Sequence, residues 1–165
     1  GAYKVGKAWS VVNGGDKRNI ILQRVMKKAA MNEACQVVRG KLADPYTGKT
    51  IDFKRGAGTS SIVQIDHVVA LSNTWQTGAQ QLTSAQREAL ANDPLELLAV
   101  DGKANQEKSD GDAATWLPSN KSFRCQYVAR QIAVKTRYTL WVTPPEKKAI
   151  ANLLETCFSQ VLPKN

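Results

Sequence analysis

Two short apolar segments and the polar segment that follows them limit the folds open to this chain. Residues 63–71 form an apolar, β-branched run that contains the only histidine, His67, directly after Asp66. Residues 95–100 form a second run, apolar apart from one glutamate. Runs of this length and composition predict strands, and the polar residues 103–110 behind an aspartate predict a capped helix. The expected unit is two antiparallel strands packed on a helix.

Helical spacing, turn residues and capping patterns predict further elements on both sides of this unit. They are a helix over residues 17–31 capped by Asp16, a hairpin of strands 35–42 and 49–54, a polar connection after residue 71, a helix over 83–92, and helices over 122–137 and 143–160. A length of 165 residues favours one α+β domain over residues 1–165. Within it we expect a core over about 61–112, a C-terminal helical hairpin over about 120–160, and an irregular lead-in over residues 1–15.

Net charge narrows the class of partner. The chain carries 23 Lys and Arg residues against 14 Asp and Glu residues, a formal net charge of +9. This excess is spread along the sequence and favours a polyanionic partner, nucleic acid first and an anionic membrane surface second. A generally basic surface without a specific partner is the alternative. No stretch approaches the ~20 apolar residues of a membrane span, and we expect a monomer.

The chain has three cysteines, Cys35, Cys125 and Cys157, and their pairing indicates whether the protein resides in an oxidising or a reducing compartment. They lack Cys-x-x-Cys spacing and the chain has one histidine, so a structural zinc site is not expected. If helices 122–137 and 143–160 pack antiparallel, Cys125 and Cys157 lie at the same end, which predicts a disulfide and an oxidising compartment. Three reduced, buried thiols in a cytosolic protein are the alternative. The chain begins without an apolar signal region, so any export signal is expected to have been removed or to lie outside this sequence.

Three sequence blocks connect the histidine with a known motif. A histidine suits acid and base chemistry near neutral pH, although a lone histidine in an apolar strand is also typical of a satisfied core residue. The blocks are Asp66-His67-Val68-Val69, Asp93-Pro94-Leu95-Glu96-Leu97-Leu98 and Asn105-x-x-Lys108-x-Asp110. In this order they resemble the HNH, or ββα-metal, nuclease motif, and most closely the secreted bacterial HNH endonuclease family of the DUF1524 type. Further similar blocks are Asp44-Pro45-Tyr46-Thr47-Gly48, Trp116-Leu117-Pro118 and Leu140-Trp141-Val142-Thr143-Pro144, so the resemblance covers about residues 35–158.

The resemblance implies a fold, an activity and a site. The fold is an α+β ββα-metal (HNH) nuclease core with an extra β-hairpin and flanking helices. The activity is metal-dependent hydrolysis of phosphodiester bonds in DNA, with RNA as a further substrate, by a secreted endonuclease. Little sequence preference is expected, because nothing in the sequence resembles a zinc finger or a helix-turn-helix. His67 is implied as the general base, and Asp66 and Asn105 as ligands of one Mg²⁺, Mn²⁺ or similar divalent cation, which oxygen ligands suit. Lys108, one helical turn from Asn105, would contact phosphate.

Glu96 stands where the motif normally has asparagine, and it joins His67 as a candidate catalytic residue. In the family this asparagine helps to hold the loop and to orient the histidine. A glutamate there could accept a hydrogen bond from the His67 ring and raise its pKa, lend an oxygen to the metal, or repel phosphate. Reduced or lost activity is therefore one expectation. The family pattern also has Cys where this chain has Gly15, which would leave Cys35 without its partner.

Other interpretations stay open at this point. Arg87, Arg124 and Arg130 are further candidate nucleic-acid contacts, although a solvated basic face explains each of them equally well. One rival function is a catalytically impaired nucleic-acid-binding protein on a nuclease fold. Another is an antibacterial toxin domain, whose partner would be an acidic immunity protein or inhibitor. A purely structural secreted module is the third.

Overall fold

The computed structural model describes residues 11–12 and 15–164 of the chain. In chain order its elements are β1 (Val11–Val12), β2 (Gly15–Asp16), α1 (Lys17–Val25), β3 (Lys27–Met31), β4 (Val37–Ala43), β5 (Thr50–Lys54), β6 (Val63–His67), α2 (Leu71–Gln76), α3 (Ser84–Ala91), β7 (Leu97–Asp101), α4 (Gly102–Lys108), α5 (Arg124–Arg137) and α6 (Pro144–Leu154). β1 pairs with β2, β3–β4–β5 form one sheet, and β6 pairs with β7, all antiparallel. The α+β prediction is confirmed. Most of the predicted lead-in over residues 1–15 lies outside the described residues.

The predicted strand pair and its helix lie at the centre of the chain. β6 and β7 pair antiparallel, with His67 opposite Leu97. Asp101 ends β7 and caps α4, because its Oδ1 accepts a hydrogen bond from the Ala104 backbone N–H at 2.8 Å. Since α4 begins directly where β7 ends, it packs against both strands.

The first helix is shorter than predicted. α1 begins at the predicted cap, where Asp16 Oδ1 accepts a hydrogen bond from the Asn19 backbone N–H at 2.8 Å, but it ends at Val25. Residues 27–31 form β3, which pairs with β4 through an irregular register. The predicted helix to residue 31 is therefore wrong. Apolar spacing in this stretch suits a helix locally, but the edge of the hairpin satisfies its backbone hydrogen bonds as a strand.

The predicted hairpin is confirmed as β4 and β5, and its turn is tied to the central strand pair. Asp44 Oδ2 accepts a hydrogen bond from the Thr47 backbone N–H at 2.7 Å, and Asp44 Oδ1 accepts one from the Asp101 backbone N–H at 2.9 Å. Gly48 takes a φ of 75°, a left-handed conformation that suits glycine, as the chain enters β5. The turn therefore fixes the hairpin against the end of β7.

Two buried cores enclose the central strand pair. The first joins α1 and the buried face of the hairpin to β6 and β7. The second joins the strand pair and α4 to α5 and α6 through residues that include Tyr46, Val68, Val100, Tyr127 and Ile150. Because apolar packing restrains both sides of the pair, the side chains at the end of β6 have well-defined positions.

The C-terminal helices α5 and α6 pack together, and a disulfide links them. Cys125 and Cys157 are bonded, with their Cα atoms 5.6 Å apart, which confirms the predicted pairing. Cys35 is a free, exposed thiol. α6 ends at Leu154 and not near residue 160, because the chain continues in short turns towards the disulfide.

One helix was not predicted from sequence. Residues 71–76, expected as a polar connection, form α2, which begins without a capping side chain and so gives no start signal. Among the described residues, no helix has the length and apolar content needed to cross a membrane.

Candidate active site

A cavity of about 470 Å³ lies at the end of β6, between α2 and α4. Its lining includes Asp66 and His67 from β6, Ser72 from α2, Asn105 from α4 and Asp110 just beyond α4. The structure thus brings three residues predicted for chemistry, on two separate elements, to one cavity.

The Asp66 carboxylate forms a buried ion pair. Its Oδ1 accepts a hydrogen bond from Lys108 Nζ at 2.9 Å, and its Oδ2 accepts one from the Tyr46 hydroxyl. The side chains of Lys108 and Asp66 are 0% and 7% exposed, so each charge is compensated by the other inside the protein. Lys108 Nζ also donates to the backbone oxygen of His67 at 2.8 Å. Lys108 therefore positions both the carboxylate and the residue after it.

His67 is held in the orientation and protonation state of a base. Its Nε2 lies 3.0 Å from the backbone oxygen of Ala91. Because a carbonyl oxygen only accepts, this contact assigns the proton to Nε2 and makes Nδ1 the basic nitrogen of the neutral ring. Burial lowers the pKa of His67 and outweighs the hydrogen bond to Ala91, which raises it. Neutral imidazole is the form that a general base requires.

Glu96 is completely buried and supports the chain that follows His67. Its Oε2 accepts a hydrogen bond from the Val69 backbone N–H at 3.0 Å, and its backbone oxygen accepts one from the Val68 N–H at 2.8 Å. Its Oε1 has no hydrogen-bond partner within the described part of the chain. Burial raises the pKa of Glu96 well above its usual range, which favours the neutral acid. The side chain is therefore bonded to backbone beside the site, and it is absent from the cavity lining.

Asn105 adds an amide oxygen to the same cavity. Its Nδ2 donates to Gln64 Oε1 at 2.8 Å, which leaves Oδ1 as its acceptor atom. Each oxygen of Asp66 accepts one hydrogen bond and so keeps a lone pair. No group of three His, Cys, Asp or Glu side chains that could hold a metal occurs among the residues described. One carboxylate and one amide oxygen fit a hard cation that keeps most of its waters, as Mg²⁺ does.

None of the four residues predicted to contact nucleic acid lines the cavity. Lys108, expected to contact phosphate, is buried, and its ammonium group is taken up by the ion pair. Arg124 and Arg130 donate hydrogen bonds to backbone carbonyl oxygens. Arg87 also bonds a carbonyl oxygen and lies 5.7 Å from the centre of the Trp75 ring. Each of the four side chains is thus bonded within the chain.

Three residues of the site were missed by sequence reasoning. Tyr46 is fully buried, and burial together with the neighbouring carboxylate raises the pKa of its hydroxyl, which stays a donor. Gln64 orients Asn105 from β6. Ser109 lines the cavity with a φ of 50°, a conformation that non-glycine residues rarely adopt. Only Tyr46 left a sequence signal, the block at residues 44–48.

An antiparallel strand pair that continues into a helix, with Asp66, His67 and Asn105 on one cavity, defines an HNH-type α+β domain. Over residues 16–153 the sequence matches the family described as "GmrSD restriction endonucleases, C-terminal domain", and the chain belongs to this family. It is also 36% identical over 152 residues to an "Uncharacterized secreted protein" of Arthroderma benhamiae, a match that covers 90% of this chain and 72% of that protein. No solved structure matches the chain.

The comparisons confirm two predictions made from sequence. Membership of this family confirms the resemblance to HNH nucleases and indicates a nuclease of the restriction-endonuclease type, which implies a nucleic acid substrate. The secreted relative and the disulfide between Cys125 and Cys157 confirm the predicted extracellular location, since disulfides persist in oxidising compartments.

Proposed function

We propose that this chain is a metal-dependent endonuclease that hydrolyses phosphodiester bonds of DNA or RNA with little sequence preference. The observation that supports it most strongly is the contact of His67 Nε2 with the Ala91 oxygen, 3.0 Å long. It leaves Nδ1 basic at a cavity that also holds the Asp66 carboxylate and the Asn105 amide. These are the groups that water-mediated cleavage of a phosphodiester needs: a base and oxygen ligands for a cation.

In the proposed mechanism, His67 Nδ1 takes a proton from the water that attacks phosphorus. Asp66 and Asn105 would hold one Mg²⁺ or Mn²⁺ ion. When bound, the cation supplies a Lewis acid that stabilises the charge developing on the phosphate and on the leaving 3′ oxygen. Lys108 holds one oxygen of the Asp66 carboxylate in place at 2.9 Å, and Tyr46 holds the other.

Glu96 takes over the loop-holding part that the resemblance assigns to asparagine. Its carboxyl group bonds the Val69 N–H as an amide oxygen would, at 3.0 Å. A neutral carboxylic acid offers an acceptor oxygen and an O–H donor, where an amide offers an acceptor oxygen and two N–H donors, and it carries no charge to repel phosphate. We therefore expect the protein to be active with Glu96 in place.

The cationic surplus supports a nucleic acid substrate read mainly through its backbone. The chain has a net charge of +9, and its sequence contains no helix-turn-helix or zinc-finger signature. Contacts to phosphate carry no sequence information, which favours cleavage with little sequence preference.

Nicking of a supercoiled plasmid tests this function. The parent is expected to nick in Mg²⁺ or Mn²⁺ and to stop when EDTA is added, while His67→Ala loses about 10²–10⁴-fold in rate, the usual contribution of a general base. Glu96→Asn serves as the matched variant, with the motif residue restored. Activity in Glu96→Asn alone would make the parent a nucleic-acid-binding protein on a nuclease fold, and undiminished activity of His67→Ala would place the chemistry elsewhere.

A further inference from the structure

The exposed face of the β3–β4–β5 sheet is strongly basic and separate from the His67 cavity. A concavity of about 670 Å³ lies against this sheet, and it shares no lining residue with that cavity. The three strands contain one acidic residue, Asp52. The exposed cations of these strands, called here the basic sheet face, are Lys27, Lys28, Arg39, Lys41 and Lys54.

Ion pairs among the described residues leave most of the charge of this face uncompensated. Asp52 is already paired with Lys41, at 2.6 Å. Neither Arg39 nor Lys54 forms an ion pair with another residue in the described ranges 11–12 and 15–164. The remaining residues of the chain include no Asp or Glu. The positive charge is therefore available to an external anion.

Arg39 and Lys54, two of the cations of this face that form no ion pair among the described residues, are also direct cross-strand partners. Arg39 lies opposite Lys54 in the β4–β5 register, and Lys27 lies opposite Lys41 in the β3–β4 register. Side chains in such pairs have Cβ atoms ~5 Å apart, and like charges placed there destabilise a sheet. Lysines on edge strands protect against aggregation, and this protection explains the lysines on the edge strands β3 and β5. Arg39 lies on the central strand β4, where edge protection gives no reason for a cation.

We propose that the basic sheet face binds the phosphate backbone of nucleic acid and anchors long substrates at a second point, away from the cleavage cavity. The identity of the polyanion rests on the proposed nuclease function. Arginine and lysine together suit phosphate, as a two-pronged donor and a point charge. Phe53, the aromatic residue of these strands, is 2% exposed, so the face offers phosphate contacts without base stacking.

Binding in a hydrolytically silent background tests this proposal. In a His67→Ala chain, the pair variant Arg39→Gln/Lys54→Gln is compared with Lys147→Gln/Lys148→Gln, which removes the same charge from the exposed side of α6. The probes are a long fluorescein-labelled DNA duplex and poly-glutamate, and affinity is measured by anisotropy across a salt series.

The pair variant is expected to make the negative slope of log affinity against log salt for duplex DNA less steep by about 2, since each of the two lost phosphate contacts contributes about 0.9. The α6 variant should leave the slope unchanged, and the pair variant should melt no lower than its parent because a repulsive pair is gone. Equal slope changes in both variants, or no change in either, would overturn the proposal. Equal weakening of DNA and poly-glutamate would point to an acidic protein partner and would overturn it as well. If the parent does not nick plasmid DNA, the proposed nuclease function is refuted, whereas the binding result for the basic sheet face is unaffected.

Discussion

The buried ion pair between Lys108 and Asp66 gives a prediction with an internal control. The chain has a second buried lysine pair, Lys135 with Glu146 at 2.7 Å, whose side chains are 4% and 1% exposed. The first pair lies at 2.9 Å with side chains 0% and 7% exposed, and Asp66 lines the cavity. The two pairs thus match in burial and length, and one of them borders the candidate metal site.

Replacing either lysine by methionine should destabilise the protein to a similar extent. Removing one partner of a buried pair leaves an uncompensated charge and costs about 3–5 kcal/mol. At about 2–4 °C per kcal/mol for a chain of this size, Lys108→Met and Lys135→Met should each melt roughly 6–20 °C below the parent. The Tyr46 hydrogen bond to Asp66 places Lys108→Met at the lower end of that range.

Magnesium should distinguish the two variants. A cation bound beside Asp66 replaces the lost ammonium charge, and ligand at about 100 times its Kd stabilises the native state by about 2.7 kcal/mol. Because Lys135→Met keeps this site intact, Mg²⁺ should raise its melting temperature relative to EDTA by as much as it raises that of the parent, and should raise that of Lys108→Met by more. If Mg²⁺ shifts none of the three melting temperatures, or stabilises Lys108→Met no more than it stabilises the parent and Lys135→Met, the assignment of Asp66 as a metal ligand is refuted.

Three further outcomes are expected. Burial raises the pKa of Glu96 above its ordinary 4.5, so the native state keeps a proton that the unfolded chain loses. As pH rises above about 4.5, the free energy of unfolding of the parent should therefore fall relative to that of Glu96→Gln, by a little over 1 kcal/mol per pH unit. Urea unfolding of both proteins at several pH values would measure this difference. Tyr46→Phe should lower the free energy of unfolding by about 1–3 kcal/mol, because it removes a hydrogen-bond donor to a charged group. Tyr127→Phe should leave this free energy unchanged, because the Tyr127 hydroxyl has no partner among the described residues. Equal losses in denaturant unfolding would contradict this prediction. Serine at Cys125 and Cys157 should cost about 4 kcal/mol, the loop-closure value for a separation of 32 residues, and an unchanged denaturation midpoint would show that the bond contributes nothing.

Local sequence signals predicted the elements that begin at a cap. Asp16 and Asp101 accept backbone hydrogen bonds at the start of the helices they were expected to cap, and Thr83 and Thr143 do so at the start of the helices predicted over residues 83–92 and 143–160. Such signals depend only on a few neighbouring residues, so a helix start predicted from them does not depend on how the rest of the chain packs.

Pairing across the chain was not predictable in the same way. Residues 27–31 have helical spacing, and their conversion to β3 depends on a hairpin edge that no local window contains. The partners of Asp66 are 20 and 42 residues away, at Tyr46 and Lys108. Sequence order placed Lys108 near the site through its motif, but the direction of its side chain follows from packing of α4 on the strand pair.

The same distinction applies to Glu96. Its departure from the motif was visible in the sequence, but the sequence did not decide whether Glu96 would bond the His67 ring, bind the metal or repel phosphate. Its complete burial and its bond to the Val69 N–H follow from the turn between α3 and β7, which draws residue 96 beneath the end of β6. The chemistry of a substituted motif position depends on this burial, which sequence does not report.

The most direct test of the account is a Mn²⁺-soaked crystal of the parent measured for anomalous scattering. The account predicts one Mn²⁺ ion in the His67 cavity, in contact with the Asp66 carboxylate and the Asn105 amide oxygen, with water completing its shell. Mn²⁺ bound only at other carboxylates, in a protein whose nicking requires the metal, would contradict the central claim that this cavity is a metal-dependent catalytic site.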